Sequence, residues 1–175
     1  MKLRLFLAFL LLANYCFSQT DTTHKIINFS TNSYTLQYPK SWSLDTSKAW
    51  GADLFVFSPL ENETDKFREN VNVLIQNLKG QDIDLEKYKQ ITEKQITELA
   101  KDGEIIESSI KRYAAGECFR VTYLMTQGNF RIKITSICML KDDQAYLATF
   151  SSELAKYNSY KETSENILSS FSLKK

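Results

Sequence analysis

Residue types on which many catalytic and nucleotide-binding sites depend are scarce in this chain of 175 residues. It contains one histidine, His24, and five glycines that are scattered along the sequence. Histidine is the most common base for a serine or cysteine nucleophile, and phosphate-binding turns need clustered glycines. The sequence therefore predicts no enzyme activity, no catalytic residue and no cofactor. A hydrolase of unrecognised type stays as a distant alternative.

Metal-ligand patterns are equally weak. The three cysteines and the single histidine do not have the close spacing of a zinc site. Two acidic pairs, Asp82 with Asp84 and Asp142 with Asp143, lack the alternating oxygen ligands of a calcium loop. Helix capping explains the first pair and a hairpin turn explains the second. We expect no metal site.

The N-terminus has the layout of an export signal. Lys2 and Arg4 precede nine apolar residues, 5–13, and a more polar stretch leads to Gln19. A helix needs about 20 apolar residues to span a bilayer, so residues 1–18 are predicted to be a signal peptide that is removed. The protein is then exported, either periplasmic or extracellular, and has no membrane span after cleavage.

Cys16 raises the alternative of a lipid-anchored protein. A lipoprotein signal has a small residue before the modified cysteine, whereas here that residue is the bulky Tyr15, so lipidation is disfavoured. Removing Lys2 and Arg4 turns the formal net charge of the chain from +1 to −1. This balance gives no reason to expect nucleic-acid binding.

The remaining chain is predicted to form one domain over residues 25–175, preceded by a flexible segment, 19–24. Short alternating apolar stretches predict strands at about 25–29, 33–38, 53–58, 70–78, 104–112, 117–126, 130–141 and 144–152. The last four strands are joined by very short links, which indicates an antiparallel meander.

Two segments have helical spacing. Residues 83–101 form an amphipathic pattern in which Asp82 is the expected N-cap and Gly103 the expected residue after the last turn. Residues 155–171 return to the same spacing near the C-terminus. Strands and helices in this order predict an α+β fold with an antiparallel sheet.

Cys118 and Cys138 remain after processing, and an oxidising compartment favours a disulfide. The register of their strands opposes it. A two-residue type II′ turn at Gly128 and Asn129 sets Phe119 opposite Cys138 and places the two thiols on opposite faces of the sheet. A three-residue loop would face the thiols toward each other but would pair apolar with charged side chains. Reduced thiols are favoured, and the disulfide stays as the alternative.

Four short strings resemble a known family. They are Tyr-Pro-Lys-Ser-Trp at 38–42, Asn-Val-Asn-Val at 70–73, Tyr-Leu-Ala-Thr-Phe at 146–150 and Ile-Leu-Ser-Ser-Phe at 167–171, with the helix 83–101 between the second and third. In this order they resemble the PsbP-like superfamily, including its bacterial secreted and DcrB-like members. The resemblance implies a central antiparallel β-sheet flanked by helices on both faces, an αβα sandwich.

The resemblance implies less about function. Plant members of the superfamily assist photosystem II, most bacterial relatives have no assigned activity, and no catalytic motif of the family maps onto this chain. Fold similarity alone does not fix function.

We expect a non-enzymatic accessory domain that binds another component of the cell envelope. The expected contact surface is the loop 59–69, with Glu61 and Asp65, together with the aromatic residues Trp42 and Trp50. The acidic side chains of this loop are expected to be solvated, and core packing is favoured over ligand stacking for Trp42. The alternative is a carrier of a small apolar ligand, held between sheet and helix.

The export signal can be tested directly. N-terminal sequencing of the mature protein from its own host should find Gln19, or its cyclised form, as the first residue. An acylated Cys16 at the N-terminus would contradict the cleavage site and establish a lipid anchor.

Overall fold

The computed structural model describes residues 25–113 and 116–175. The signal peptide, Cys16, the segment 19–24 with His24, and the link residues Ala114 and Ala115 lie outside the described residues. The predictions that concern them stay predictions.

The described residues form an α+β fold with antiparallel sheets, as the sequence predicts. In chain order its elements are β1 (Ile26–Ser30), β2 (Tyr34–Pro39), β3 (Ser43–Asp45), β4 (Leu54–Phe57), β5 (Asn70–Asn77), α1 (Leu85–Glu98), β6 (Glu104–Tyr113), β7 (Gly116–Gln127), β8 (Phe130–Lys141), β9 (Gln144–Glu153), α2 (Tyr157–Ser170) and β10 (Ser172–Leu173). The sequence missed β3 and β10, because strands of two or three residues are too short to show a period.

Two antiparallel sheets organise these strands. The larger sheet has seven strands in the order β3-β4-β5-β9-β8-β7-β6, and the smaller has the order β1-β2-β10. The predicted meander over β6 to β9 is confirmed, and β5 pairs with β9. Strands β3 and β6 are therefore the two edges of the larger sheet.

Neighbouring residues of the central strands belong to different apolar cores. In β8 Ile137 belongs to a core with α2 and Cys138 to a core with α1; in β9 Tyr146 and Ala145 divide in the same way. Successive side chains of a strand point to opposite faces, so both sides of these strands are buried. We call these the α2 core and the α1 core. Buried members of the α1 core are Tyr88, Ile96, Phe119, Val121, Cys138 and Ala145. Large members of the α2 core are Tyr34, Leu36, Trp42, Val71, Phe150, Tyr157, Ile167, Leu168 and Phe171.

The hairpin between β7 and β8 has the predicted register. Phe119 faces Cys138, and Gly128 opens the two-residue turn with a φ of 59°, the positive value that a type II′ turn needs at this position. No disulfide joins the two buried thiols Cys118 and Cys138, in line with the favoured prediction. Burial raises the pKa of the Cys138 thiol to about 12.

The ends of α1 differ from the prediction. Asp84, not Asp82, is the N-cap, and its Oδ1 accepts a hydrogen bond of 2.8 Å from the backbone N–H of Lys87. Asp82 has a φ of 50°, a left-handed conformation that aspartate tolerates in turns. The helix ends at Glu98, so Gly103 is not the residue after its last turn.

Gly103 serves close packing instead. A β-carbon at this position would lie 1.9 Å from the carbonyl oxygen of Ile96. The chain therefore leaves α1 and enters β6 by passing directly under the backbone of the helix, which only glycine permits.

No helix of the described part of the chain is both long and apolar enough to cross a membrane.

The close approach at Gly103 predicts the effect of a single methyl group. The substitution Gly103→Ala should lower the free energy of unfolding by about 1 to 3 kcal/mol, because backbone atoms must move to admit the side chain. Gly80→Ala is a suitable comparison, because a β-carbon at position 80 meets open space. Only the φ of 78° disfavours alanine there, by about 1 kcal/mol. Urea denaturation measures both. A Gly103→Ala variant as stable as the parent protein would contradict the packing described.

Candidate functional site

Three aromatic rings form a row at the β3 edge of the larger sheet. The Trp50 ring lies 5.3 Å from the Phe55 ring, edge to face, and the Phe55 and Phe57 rings stack at 5.2 Å with an interplanar angle of 7°. Phe55 and Phe57 are two residues apart in β4 and so share one face. Both are half-buried, whereas Trp50 is 84% exposed.

Arg68 completes this row. The central carbon of its guanidinium group lies 5.0 Å from the centre of the Phe57 ring, a cation–π distance. The group donates two hydrogen bonds to the carbonyl oxygen of Ser58, at 2.7 and 3.0 Å, and one to Oγ of Ser43 at 2.8 Å. Arg68 thus ties the loop 59–69 to β3 and β4. We call Trp50, Phe55, Phe57 and Arg68 the aromatic edge.

The backbone beneath Trp50 is strained. Trp50 has φ 49° and ψ 24°, and Lys48 has φ 61° and ψ 31°; both are left-handed conformations. Such a conformation costs a residue with a β-carbon roughly 1 to 2 kcal/mol. Burial of the Trp50 ring recovers little of this cost, because most of the ring faces solvent. A bulky residue kept in a strained, exposed position indicates a role other than stability.

Trp42 lies elsewhere, in the α2 core. Its side chain is 6% exposed, and its ring meets the Tyr160 ring of α2 edge to face at 6.1 Å. This is the core packing that the sequence favours for Trp42. Tyr160 in turn donates a hydrogen bond of 3.0 Å to Oε1 of Glu61. Trp42 therefore supports the loop from inside and is not available as a contact residue in this structure.

Lys156, just before α2, binds three carboxylates. Its ammonium group lies 3.2 Å from Glu61, 3.1 Å from Asp65 and 3.1 Å from Glu153. The side chain of Asp65 is only 2% exposed, so the expectation that the acidic side chains of this loop are solvated is wrong for Asp65. The loop folds inward because a single lysine attracts two of its carboxylates. We call Lys156 and its partners the carboxylate cluster.

The hydrogen bonds of this cluster set its ionisation. The backbone N–H of Glu61, with a further contribution from Lys156, holds the pKa of Asp65 below its usual range against the opposing effect of burial. Burial acts to lower the pKa of Lys156, but hydrogen bonds to Asp65, Glu153 and Glu61 raise it well above its usual value. The lysine is therefore charged, and it offsets part of the negative charge of its three carboxylate partners.

Glu69, at the end of the same loop, is fully buried. Its Oε1 accepts a hydrogen bond of 3.4 Å from Oγ of Ser152, while Oε2 has no hydrogen-bond partner among the residues that the structure describes. Burial raises the pKa of Glu69 above its usual value. Burying this carboxyl group opposes folding at neutral pH, and the nearby Lys156 offsets part of that cost.

The structure divides the predicted contact residues into two groups. Trp42, Glu61 and Asp65 come together through Tyr160 and Lys156, and they hold the loop against α2. Trp50 stands apart from them, in the aromatic edge.

Sequence reasoning missed the rest of both groups. Phe55 and Phe57 alternate with Leu54 and Val56, which signals a second apolar face, but the face is visible only once β4 is known to lie next to an edge. Lys156 lies about 90 residues away in sequence from its partners Glu61 and Asp65, so these two pairs leave no local signal.

The aromatic edge presents apolar ring surface beside a cation. Stacked rings beside a guanidinium group suit an aromatic or apolar partner side chain. Within residues 25–113 and 116–175, no group of three or more histidine, cysteine, aspartate or glutamate side chains is placed to hold a metal ion.

The carboxylate cluster makes stability depend on Lys156. Lys156→Met should lower the free energy of unfolding at pH 7 by about 1 to 3 kcal/mol, between the values typical of exposed and of buried ion pairs, because the carboxylates then repel each other. The pKa of Asp65 is lower in the folded than in the unfolded state. The ionised carboxylate therefore stabilises the fold above the unfolded-state pKa of about 3.9, and this stabilisation is lost as the pH falls through the folded-state pKa. The loss should therefore shrink below about pH 4.

Lys161→Met, on the exposed side of the same helix, is the matched control and should change little at either pH. Chemical denaturation at pH 7 and pH 3 measures both variants. Equal losses for Lys156→Met at the two pH values would contradict a charge-based role.

Comparison with known proteins places the chain in a family. The PsbP family model matches residues 25–173. Among solved structures, cyanobacterial PsbP (CyanoP) from Synechocystis sp. PCC 6803 is similar with a TM-score of 0.64 at 14% identity, over 91% of this chain and 97% of that one. LpqN from Mycobacterium tuberculosis, described as involved in cell envelope biogenesis, is similar with a TM-score of 0.58 at 10% identity, over 86% and 91%.

A third similar structure is a protein of unknown function from Pseudomonas aeruginosa, described as a putative regulator. Its TM-score is 0.55 at 7% identity, over 78% of this chain and 89% of that one. No curated protein matches the chain by sequence. The structural likenesses establish the fold only, whereas the family model spans nearly all described residues. The chain belongs to the PsbP family.

Proposed function

We propose that this protein is an exported, non-enzymatic accessory domain that binds a protein of the cell envelope through the aromatic edge. The observation that carries the proposal is Trp50, a large apolar side chain that is 84% exposed on a strained backbone. Exposed tryptophan and arginine side chains are the residue types most enriched in binding hot spots.

The position of the edge supports this role. Alternation along β8 and β9 between the two cores supports the arrangement that the family fold implies, with α1 and α2 on opposite faces of the larger sheet. Helix α1 contacts β6 and β7, at the far end of the strand order from β3 and β4. Phe55 and Phe57 therefore lie on the part of the sheet where a partner can approach.

The loop 59–69 supplies a rim for the same contact. Arg68 belongs to the edge, while Asp65 and Lys156 fix the loop in place, so the surface is organised before the partner arrives. A preorganised surface loses less conformational entropy on binding.

Export and envelope association rest on sequence and on relatives. The N-terminal residues have the layout of a signal peptide, and LpqN, a protein of similar fold, is described as involved in cell envelope biogenesis. These observations favour a periplasmic or extracellular location for the mature chain.

A second candidate function is transport or storage of a small apolar ligand. A cavity of about 270 Å³ between α2 and the strands β7 and β8 favours it, with a lining that is mainly apolar. This cavity is close to the lower end of the size range for small-molecule sites.

Site-specific photocrosslinking in the native host tests the first proposal. A benzoylphenylalanine probe at position 50 should form one discrete adduct with an envelope protein. Leu99 is the matched control position, because it is an exposed apolar residue, 77% accessible, at the end of α1. The same probe at position 99 should give no such adduct.

A variant separates binding from folding. Trp50→Gly removes the ring and relieves the left-handed strain, so its free energy of unfolding should stay within about 1 kcal/mol of the parent value. Added in excess, this variant should fail to compete for the adduct, whereas the unlabelled parent protein should compete. Adducts of equal yield from positions 50 and 99, or competition by Trp50→Gly, would contradict the proposal.

A further inference from the structure

Two cavities lie side by side between α2 and the strands β7 and β8. The first, of about 270 Å³, is lined by apolar side chains that include Ile137, Met139, Leu168 and Phe171. The second, of about 360 Å³, has a predominantly polar lining. Together they give this side of the molecule one apolar compartment and one polar compartment.

Arg120 and Glu165 form the boundary between the compartments, since both residues line both cavities and make an ion pair with each other. Arg120 is largely buried, with a side chain 14% exposed, whereas Glu165 is 38% exposed at the surface of α2. Glu165 can therefore turn toward solvent, while the guanidinium group of Arg120 stays in place and needs an anion beside it.

The polar compartment has an excess of positive charge. Its charged lining residues are Lys111, Arg120, Lys133, Lys161, Glu107 and Glu165. Lys111 pairs with Glu107 at 3.0 Å, and Arg120 pairs with Glu165. Lys133 and Lys161 form no ion pair with any carboxylate among the described residues, so two positive charges remain unbalanced.

One of these two charges is held in position. The ammonium group of Lys133 lies 4.2 Å from the centre of the Tyr157 ring. That ring is fixed in turn by its hydroxyl group, which shares a hydrogen bond of 2.7 Å with Oγ1 of Thr135. A cation held in place over a buried ring is preorganised to receive an anion.

We propose that these cavities bind a single amphipathic anion, with its apolar tail between α2 and the sheet and its phosphate or carboxylate head beside Arg120, Lys133 and Lys161. The head replaces Glu165 as a partner of Arg120, and the tail takes the apolar compartment. This inference names the ligand class for the second candidate function, and it is independent of the aromatic edge.

Titration calorimetry with three probes tests the ligand class. Octyl phosphate carries both features, 1-octanol only the tail and inorganic phosphate only the head. Octyl phosphate should bind at least about tenfold more tightly than either of the others, since a charge-assisted contact contributes on the order of a tenfold change in affinity. Octanoate should bind in the same way as octyl phosphate, because the site recognises either anionic head.

Two surface variants test the location without disturbing the core. Lys161→Gln should weaken octyl phosphate binding about three- to tenfold and leave 1-octanol unaffected. Ser169→Phe places a ring at the apolar cavity from the exposed side of α2. It should weaken the binding of both octyl phosphate and 1-octanol. Lys79 is an exposed loop lysine outside both cavities, so Lys79→Gln is the matched control. This variant should change neither the affinity for octyl phosphate nor that for 1-octanol.

The remaining outcomes separate the hypotheses. Equal affinity for 1-octanol and octyl phosphate would overturn the anion site but keep the apolar carrier. No binding of either probe at millimolar concentration would overturn both. Binding only to vesicles that contain anionic lipid, with none to monomeric octyl phosphate, would also overturn the proposal, because the site holds one molecule and not a membrane surface.

Discussion

Strands β8 and β9 have to bury both of their sides, and the rest of the structure depends on this constraint. From Ile137 to Leu140 in β8 and from Ala145 to Ala148 in β9, successive side chains alternate between the α2 core and the α1 core. A shift of the register by one residue would exchange the two sets and place polar side chains such as Lys133 and Ser136 among apolar residues on the opposite side. The short hairpin turns at Gly128 and at Asp142 and Asp143 fix this register.

Energetically unusual features occur at two places in the molecule. In the centre of the larger sheet, side chains on both sides of β8 and β9 are buried. Toward the β3 edge, the chain keeps a strained turn, an exposed tryptophan and a cation stacked on a ring. Between α2 and the strands β7 and β8, it keeps a buried arginine and two lysines without ion-pair partners among the described residues.

The carboxylate cluster connects the centre to the aromatic edge. Lys156 joins β9 and α2 to the loop 59–69. Arg68 belongs to that loop, and its guanidinium group stacks on the ring of Phe57. Removing the lysine therefore affects more than a local charge. Glu69 is buried at the end of the loop, where one of its carboxylate oxygens has no partner within the described part of the chain, and its burial opposes folding.

Much of the fold could be predicted from the sequence, because the longer strands and both helices have strong periodicity. The register of β7 and β8 followed from one glycine, Gly128, and the family from four short strings. The N-cap was misplaced by two residues, since Asp82 and Asp84 both have the right chemistry and only the backbone conformation distinguishes them.

The site was less predictable, for physical reasons. Trp50 was identified by residue type, but Trp42 has the same type and the opposite environment, because burial depends on contacts with Tyr160 that are distant in sequence. The inward fold of Asp65 depends on Lys156, and the pairing of Arg120 with Glu165 joins β7 to α2 across 45 residues. Long-range ion pairs leave no periodic signal in a single sequence.

The doubly buried strands β8 and β9 are the most stable part of the larger sheet, whereas β3 and the turn beneath Trp50 lie at its edge. Native-state hydrogen exchange at increasing denaturant concentration tests this order of stability most directly. The amides of β8 and β9 should exchange only by global unfolding, while those of β3 and of the turn Ala49–Gly51 should exchange by local opening, at a free energy at least about 2 kcal/mol lower. Exchange of β3 and the turn as slow as that of β8 would contradict the account.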